Sequence, residues 1–410
     1  MKKLLLATTA IVSAGMLAGA GEVAAQDKPI SLVLGGYFRS ALAVNSDDDN
    51  AGQRGASRRN HRVAQDVEVH FKGETTLANG ITVGVVVELE AQEQNGDQVD
   101  ETWAYMKGKW GELRYGDEDS VHRLAALTAP LPLGDGMFGS NSPFFTFSNN
   151  AVRAPGVTTG PVGAGTNTTS LDLSTDSSKI LYFTPRMSGF QAGVSYAPDA
   201  TQDCRTGNGT SNGCGAGTGA GRLKNDGLAQ VFAAQVNYNG KVGALDLLAM
   251  VGYSRATNEV PGLNSTGTTN VDPDTWLAGL TVGYMGWSVG GSYQKINDGA
   301  GNAGENGIQG RRASTFDVGL GYSPGPWGLA VNFSRGEYTV SSTTSGAAAT
   351  STVKDTLSMV SLAGAYLLGP GIRLNAGVEY LSYDPGSVGT TASFSTYDSK
   401  AFLIGSTIIF

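Results

Sequence analysis

The sequence has few of the residues from which catalytic and metal sites are usually built. It contains three histidines and two cysteines among 410 residues, and charged residues make up only 16% of the chain. The histidines, His61, His70 and His122, lack metal-binding spacing, and neither a G-x-S-x-G elbow nor a phosphate-binding loop occurs. We therefore expect neither an enzyme nor a resident cofactor.

Long apolar runs are missing after the N-terminus. Met1 to Lys3 is basic, Leu4 to Ala20 carries no charge, and small residues favour cleavage after Ala25. This pattern predicts a secretory signal peptide over residues 1–25, ahead of a mature chain of residues 26–410. No later stretch approaches the roughly 18 to 20 apolar residues that a spanning helix needs. If the mature protein crosses a membrane, we expect it to cross with strands.

The charge balance and the cysteines exclude further classes. With 28 basic and 36 acidic residues the net charge is −8, which argues against a nucleic-acid partner. In an exported protein, Cys204 and Cys214 are predicted to form a disulfide that closes a small surface loop. Asp47, Asp48 and Asp49 offer the oxygen ligands that calcium prefers, but without EF-hand spacing a solvated loop is the favoured interpretation.

What the chain does have is a period of two, which recurs from Ile30 to the end. In the segments Ile81–Leu89, Phe316–Tyr322, Trp327–Phe333 and Ile372–Tyr380 one face is apolar and the other is polar or glycine. This alternation is typical of strands with lipid on one side and a wet lumen on the other. The last segment presents Phe402, Ile404, Ser406, Ile408 and Phe410 on one face, as expected of a strand that closes a barrel.

The connections alternate as well. Short turns, such as Ala78–Gly80, Asn239–Lys241 and Met285–Gly286, are separated by long polar stretches. Counting by this rule gives about sixteen strands, an even number as bacterial membrane barrels require. We predict an all-β fold, a 16-stranded antiparallel transmembrane barrel. Two alternatives are a soluble all-β sandwich of an adhesin or lectin and a barrel enzyme with a catalytic set near one rim.

One connection, residues 117–178, is far longer than the others and shows no alternation. Loops of this length are uncommon unless they are functional or disordered. Its first part, Asp117 to Leu124, has the composition of a helical turn, and Pro130, Met137 and Phe138 could pack against a wall. The sequence thus predicts a functional third loop.

Two segments that flank this loop carry a family resemblance. Ala104–Asp117 and Lys179–Phe190 are similar to the corresponding segments of alphaproteobacterial trimeric general diffusion porins. The resemblance implies a homotrimer in the outer membrane, in contact with lipid and lipopolysaccharide, which passes ions and small hydrophilic solutes by passive diffusion. A substrate-specific outer-membrane channel is the alternative within transport.

The resemblance also implies that the third loop folds into the barrel, where carboxylates of the loop face basic residues of the barrel wall. Such a ring of charges selects ions, while the gap sets size exclusion. We expect a weak preference for cations, because carboxylates outnumber bases on the lumen faces. The predicted acidic side of the constriction is Asp117, Glu118, Asp119 and Asp135, and the predicted basic side is Arg39, Arg62, Lys72, Lys107 and Arg114.

Overall fold

The computed structural model describes residues 30–47, 60–91, 99–139, 169–200, 228–258, 272–299, 311–342, 351–384 and 397–410. Most of these residues are in antiparallel strands. The strands are β1 (Ser31–Asp47), β2 (His61–Thr76), β3 (Thr82–Glu90), β4 (Val99–Gly108), β5 (Gly111–Asp117), β6 (Ser178–Phe183), β7 (Phe190–Asp199), β8 (Leu228–Val242), β9 (Leu245–Asn258), β10 (Asp274–Tyr284), β11 (Trp287–Gly299), β12 (Arg311–Tyr322), β13 (Trp327–Ser342), β14 (Ser351–Gly369), β15 (Ile372–Asp384) and β16 (Tyr397–Ile409).

The sixteen strands form one closed barrel. Each strand pairs with its neighbours in sequence, and β16 also pairs with β1 in a register that sets Phe38 opposite Ile408. Closure pairs the two edge strands of the sheet with each other, Tyr37–Asp47 of β1 with Ser399–Ile409 of β16. The predicted fold class is confirmed. None of the helices in the described residues is long and apolar enough to cross a bilayer.

Alternation gives the barrel two chemically different faces, because successive side chains of a strand point to opposite sides of the sheet. Val251 on β9 and Trp276 on β10 point outward and are 54% and 51% exposed, whereas Met250 and Leu277 point inward and are 3% and 1% exposed. The outward face of β16 agrees with the sequence interpretation, since its apolar side chains are all exposed: Phe402, Ile404 and Ile408.

Short and long connections alternate around the barrel as predicted. One predicted turn was misplaced. Residues 239–241 belong to β8, and the turn lies at Gly243 and Ala244, between the paired residues Val242 and Leu245. Gly243 adopts a φ of +62°, a left-handed conformation that glycine reaches at little cost, which explains the position of the turn.

The connection between β5 and β6, called L3 here (residues 118–177), lies against the inner face of the barrel in its described parts. It contains a one-turn helix, α1 (Val121–Leu124), and a 3-10 turn at Pro132–Gly134. The helix packs against β7, β8 and β9, and the 3-10 turn packs against β13 and β14. The helical turn predicted from the sequence is therefore present.

Several sequence predictions concern residues outside the described ranges. These include the signal peptide over residues 1–25, the disulfide between Cys204 and Cys214, and most of the calcium candidate. Of that candidate only Asp47 belongs to a strand, at the end of β1, while Asp48 and Asp49 fall in an undescribed range.

Candidate functional site

Glycines on the inner wall leave room for L3. A Cβ atom at Gly279 would lie 2.8 Å from the Cβ of Leu127, and one at Gly328 would lie 2.6 Å from the backbone nitrogen of Leu133. Such distances are too short for real side chains, so glycine marks close backbone approach at these positions. These glycines, called the glycine track here, follow the path of the loop around the barrel: Gly252, Gly279, Gly319, Gly321, Gly328 and Gly377.

The far end of the described loop is anchored beside β1 and β16. Met137 and Phe138 are 0% and 1% exposed and pack in a cluster with Ala41, Ala43 and Leu403. A buried aromatic ring of this kind removes a large apolar area from water. The apolar packing predicted for this part of the loop is therefore observed.

Polar contacts reinforce this anchor. The Asp135 carboxylate lies 3.5 Å from the Arg373 guanidinium and 3.4 Å from the Asn375 amide. Four residues after Asp135, the backbone N–H of Gly139 donates to Glu379 Oε1 at 3.3 Å. Asp135 is 2% exposed, so its charge is compensated by β15 rather than by water.

The two limbs of L3 are tied together where they leave the wall. The Ser120 N–H donates to Asp172 Oδ2 at 2.7 Å, and the buried Lys179 ammonium donates to the carbonyl oxygens of Glu118 and Thr175. The return limb is held to β11, because Gln294 accepts from the Leu171 N–H at 2.8 Å and donates to its carbonyl at 2.7 Å.

His122 is part of this junction. It is 0% exposed, and its Nε2 lies 3.2 Å from the Leu171 carbonyl oxygen, which can only accept. Nε2 therefore carries the proton, and Nδ1 accepts from the Ser120 hydroxyl at 2.7 Å. Burial lowers the pKa of the His122 imidazole, so the ring is neutral and serves to hold the loop.

The five predicted bases all lie on the inner face of β1 to β5. Four of them contact carboxylates of the same wall. Arg39 lies 3.0 Å from Asp66, and Arg114 lies 2.7 Å from Glu112. Lys72 and Lys107 both contact Glu74, at 3.2 Å and 2.8 Å. Arg62, the fifth, is exposed near the outer end of β2, opposite Ala43.

Three of the four predicted acids lie on L3 and each contacts a base. Glu118 lies 3.0 Å from Arg114 and Asp119 lies 2.8 Å from Arg123, while Asp135 contacts β15 as described above. The loop acids and the wall bases therefore do not face each other as two separate rows across the lumen. Arg114 contacts both Glu112 on the wall and Glu118 on the loop.

Asp117 does not join the other predicted acids. It pairs with Thr102 and Ser178 in the sheet and shares its face with Tyr115, which is 50% exposed on the outside of the barrel. Its carboxylate accepts from the Ser178 hydroxyl. The alternation of Leu113 and Tyr115 extends to Asp117, and this signal in the sequence identifies the outward position.

Carboxylates are concentrated where L3 leaves the wall. Glu101 Oε1 accepts from the Asp119 N–H at 3.2 Å, and ligand atoms of Glu101, Asp119 and Asp176 lie within 4.8 Å of one another. Burial raises the pKa of Glu118 to about 7, although Arg114 opposes the shift. The full set, called the acidic neck here, is Glu68, Glu88, Glu90, Asp100, Glu101, Glu118, Asp119 and Asp176.

Fewer bases lie at the acidic neck. Arg114 and Arg123 make the ion pairs described above, and the Lys179 ammonium reaches the Glu118 carbonyl. Arg114 is also held flat against the wall, with its guanidinium 4.3 Å from the centre of the Trp103 ring. The neck therefore holds more carboxylates than bases.

The model of a family described as Gram-negative porin matches residues 7–386. No curated protein sequence matches the chain. Among solved structures, the anion-selective porin from Comamonas acidovorans is similar with a TM-score of 0.54 and 14% identity, covering 93% of this chain and all of that one.

Two further structures have a similar fold. The outer-membrane channel DcaP of Acinetobacter baumannii aligns with a TM-score of 0.56 at 12% identity, covering 96% of this chain and all of that one. The trimer form of the outer-membrane protein OmpT of Vibrio cholerae aligns with a TM-score of 0.52 at 14% identity, covering 93% of this chain and all of that one. At these identities the likeness concerns the fold.

Proposed function

The chain belongs to the Gram-negative porin family, and we propose that its channel passes small cations more readily than anions. The protein is a diffusion channel of the outer membrane. Its strands carry an apolar outward face and a polar inward face, which is the arrangement that surrounds a wet lumen in a bilayer. The observation that carries the cation preference is the acidic neck, which lies where L3 narrows that lumen.

The expected size of the preference follows from elementary electrostatics. A unit charge about 6 Å from a hydrated ion contributes about 0.7 kcal/mol at the dielectric constant of water. A few uncompensated carboxylates therefore favour a cation by about 1–2 kcal/mol. Mobile ions screen this field over about 8 Å at physiological salt, so the preference is modest there and grows as the salt concentration falls.

The fold leaves the sign of the selectivity open, because the similar Comamonas acidovorans porin is described as anion-selective. In this chain the wall bases that would attract anions are largely occupied. Lys72 and Lys107 share Glu74, and Arg39 contacts Asp66. The carboxylates of the neck, in contrast, exceed the bases near them. The local charges thus favour the passage of cations over that of anions.

The experiment is the reversal potential of the protein in a planar bilayer under a KCl gradient. We expect the sign of a cation-selective channel. The double variant Asp119→Asn/Asp176→Asn removes two carboxylates of the neck and should lower the ratio of cation to anion permeability. Asp246→Asn is the matched control. Asp246 is the second residue of β9, next to the short turn, and among the ion pairs of the described residues it contacts only the exposed Lys241. An anion-selective wild type contradicts the proposal.

We also propose that the channel works by general diffusion, as a homotrimer and without catalysis, after removal of residues 1–25. The trimer is supported by the trimer form of the structurally similar Vibrio cholerae protein. Large ohmic conductance steps that close in threes and are unaffected by sugars would agree with these proposals. Small steps that one solute blocks at low concentration would favour the substrate-specific alternative.

A further inference from the structure

One group of side chains on the channel wall has the composition of a transition-metal site. Within the described residues, three groups of histidine and carboxylate ligands have their ligand atoms within 4.8 Å of one another, and one of the three includes a histidine. This group is Glu68, His70 and Glu88. Imidazole suits zinc, copper and nickel, whereas magnesium and calcium prefer sites made of oxygen alone.

The barrel fixes the relative positions of these three residues. His70 on β2 pairs directly with Glu88 on β3. Glu68 precedes His70 by two residues and therefore points to the same, inward face. Directly opposed residues in an antiparallel pair have Cβ atoms about 4.5–5.5 Å apart. The ligands thus stand on a rigid, hydrogen-bonded frame rather than on loops.

The distances match those of a metal site with little adjustment. His70 Nε2 lies 2.8 Å from Glu68 Oε2 and 3.6 Å from Glu88 Oε2. In a tetrahedral zinc site with bonds of about 2.0–2.1 Å, ligand atoms are separated by about 3.3 Å. The two observed distances lie on either side of this value. Shifts of about half an ångström at the ends of the side chains would admit the ion.

Neighbouring groups orient the ligands. The Tyr37 hydroxyl donates to Glu68 Oε1, which leaves Oε2 directed at His70. The Tyr37 ring also stands edge-on to the imidazole, with the ring centres 6.1 Å apart and the planes at 89°. Partners of this kind fix the orientation of metal ligands and are part of a metal site's design. The wall therefore holds the site in shape before any ion arrives.

We propose that Glu68, His70 and Glu88 bind a transition-metal dication such as Zn²⁺ at the wall of the channel, with water from the lumen completing the coordination. In the charged form of the ring, the Nε2 proton that bonds Glu68 leaves to water when the metal binds, and Nδ1 keeps its proton, so the ligating imidazole is neutral. The two carboxylates neutralise the charge of the ion. A bound dication cancels part of the acidic neck and so reduces the cation current.

The first test measures K⁺ current through the reconstituted protein at about pH 7 while ZnCl₂ is added. We expect saturable inhibition at concentrations on the order of micromolar, and His70→Gln should raise the required concentration at least tenfold, roughly the effect that losing even a second-sphere partner can have. Glu88→Gln should act in the same direction. His61→Gln is the matched control, since His61 begins β2 about 30 Å from His70 along the strand.

Two measurements on the wild type need no variant. Mg²⁺ should inhibit far more weakly than Zn²⁺, and inhibition by Zn²⁺ should weaken at about pH 5, where an imidazole is largely protonated. Equal inhibition by both ions, or inhibition that His70→Gln leaves unchanged, would overturn the proposal, because both results describe screening of a general negative field. Calorimetry of ZnCl₂ binding to the detergent-solubilised protein tests the site independently of channel function.

Discussion

Phe138→Ala tests whether the apolar anchor holds L3 in place. The ring is 1% exposed and packs with Met137, Ala41, Ala43 and Leu403, so its removal leaves a cavity that the rigid barrel wall cannot fill. Replacing a buried Phe by Ala costs about 3–5 kcal/mol. At about 1.4 kcal/mol per factor of ten, this corresponds to a more than hundredfold loss in the ratio of seated to unseated loop.

The assay is single-channel recording at high bandwidth. We expect Phe138→Ala to show open-channel noise and conductance sublevels that the wild type lacks, because the far end of the described loop moves between seated and unseated positions. Phe402→Ala is the control. It removes the same ring from the outward face of β16, where the side chain is 45% exposed and points away from the described parts of L3. If Phe138→Ala gave the noise and mean conductance of the wild type, the reasoning about the anchor would be refuted.

Two further predictions concern the glycine track and the acidic neck. Gly328→Ala should alter the conductance, because the new Cβ would lie 2.6 Å from the Leu133 backbone nitrogen and displace the loop. Gly369→Ala is the control and should leave the conductance unchanged, because no atom lies within 4 Å of its new Cβ. Single-channel recording of both variants tests this prediction. Burial raises the pKa of the Glu118 carboxyl to about 7, from a usual value of 4.5, because the folded protein favours the neutral form. The stability that Glu118 contributes is therefore fully present below pH 4.5, and it is lost as the pH rises through 7. Cation selectivity should increase over the same range as the carboxyl ionises, and Glu118→Gln should abolish that step in the reversal potential; a step that survives the substitution belongs to another group.

The architecture was largely predictable, because each strand of a membrane barrel alternates apolar side chains facing lipid with polar side chains facing the lumen. Alternation identified the strands, and the alternation of short and long connections gave their number and the place of L3. The same rule placed Arg39, Lys72 and Arg114 on the inner face. Where a strand ends is less well marked, and Asp117 was assigned to the loop although it continues the outward face of Tyr115.

The contacts of the site could not be predicted, because they join residues far apart in sequence. Asp135 contacts Arg373 and Gly377 lies against Phe138, in both cases across more than two hundred residues. Alternation alone does not distinguish an inward glycine that contacts the loop from one that does not. Only the path of the loop along the wall identifies the positions where a Cβ would collide with it. The register between neighbouring strands also decides whether a base in the lumen contacts the loop or a carboxylate of the wall. Lys107 on β4, for example, contacts Glu74 on β2.

The central claim is that L3 lies against the inner wall and narrows the lumen, and engineered cysteines test it most directly. The Thr169 hydroxyl of L3 is hydrogen-bonded to the Ser292 hydroxyl of β11, so cysteines at these two positions would bring their sulfur atoms together as a disulfide requires. In a chain with Cys204 and Cys214 replaced by serine, Thr169→Cys/Ser292→Cys should crosslink under mild oxidation. Conductance before and after oxidation should be equal, because the bond only fixes a loop that is already seated. Failure to crosslink in a folded barrel, or a large change in conductance when the bond forms, would contradict the account.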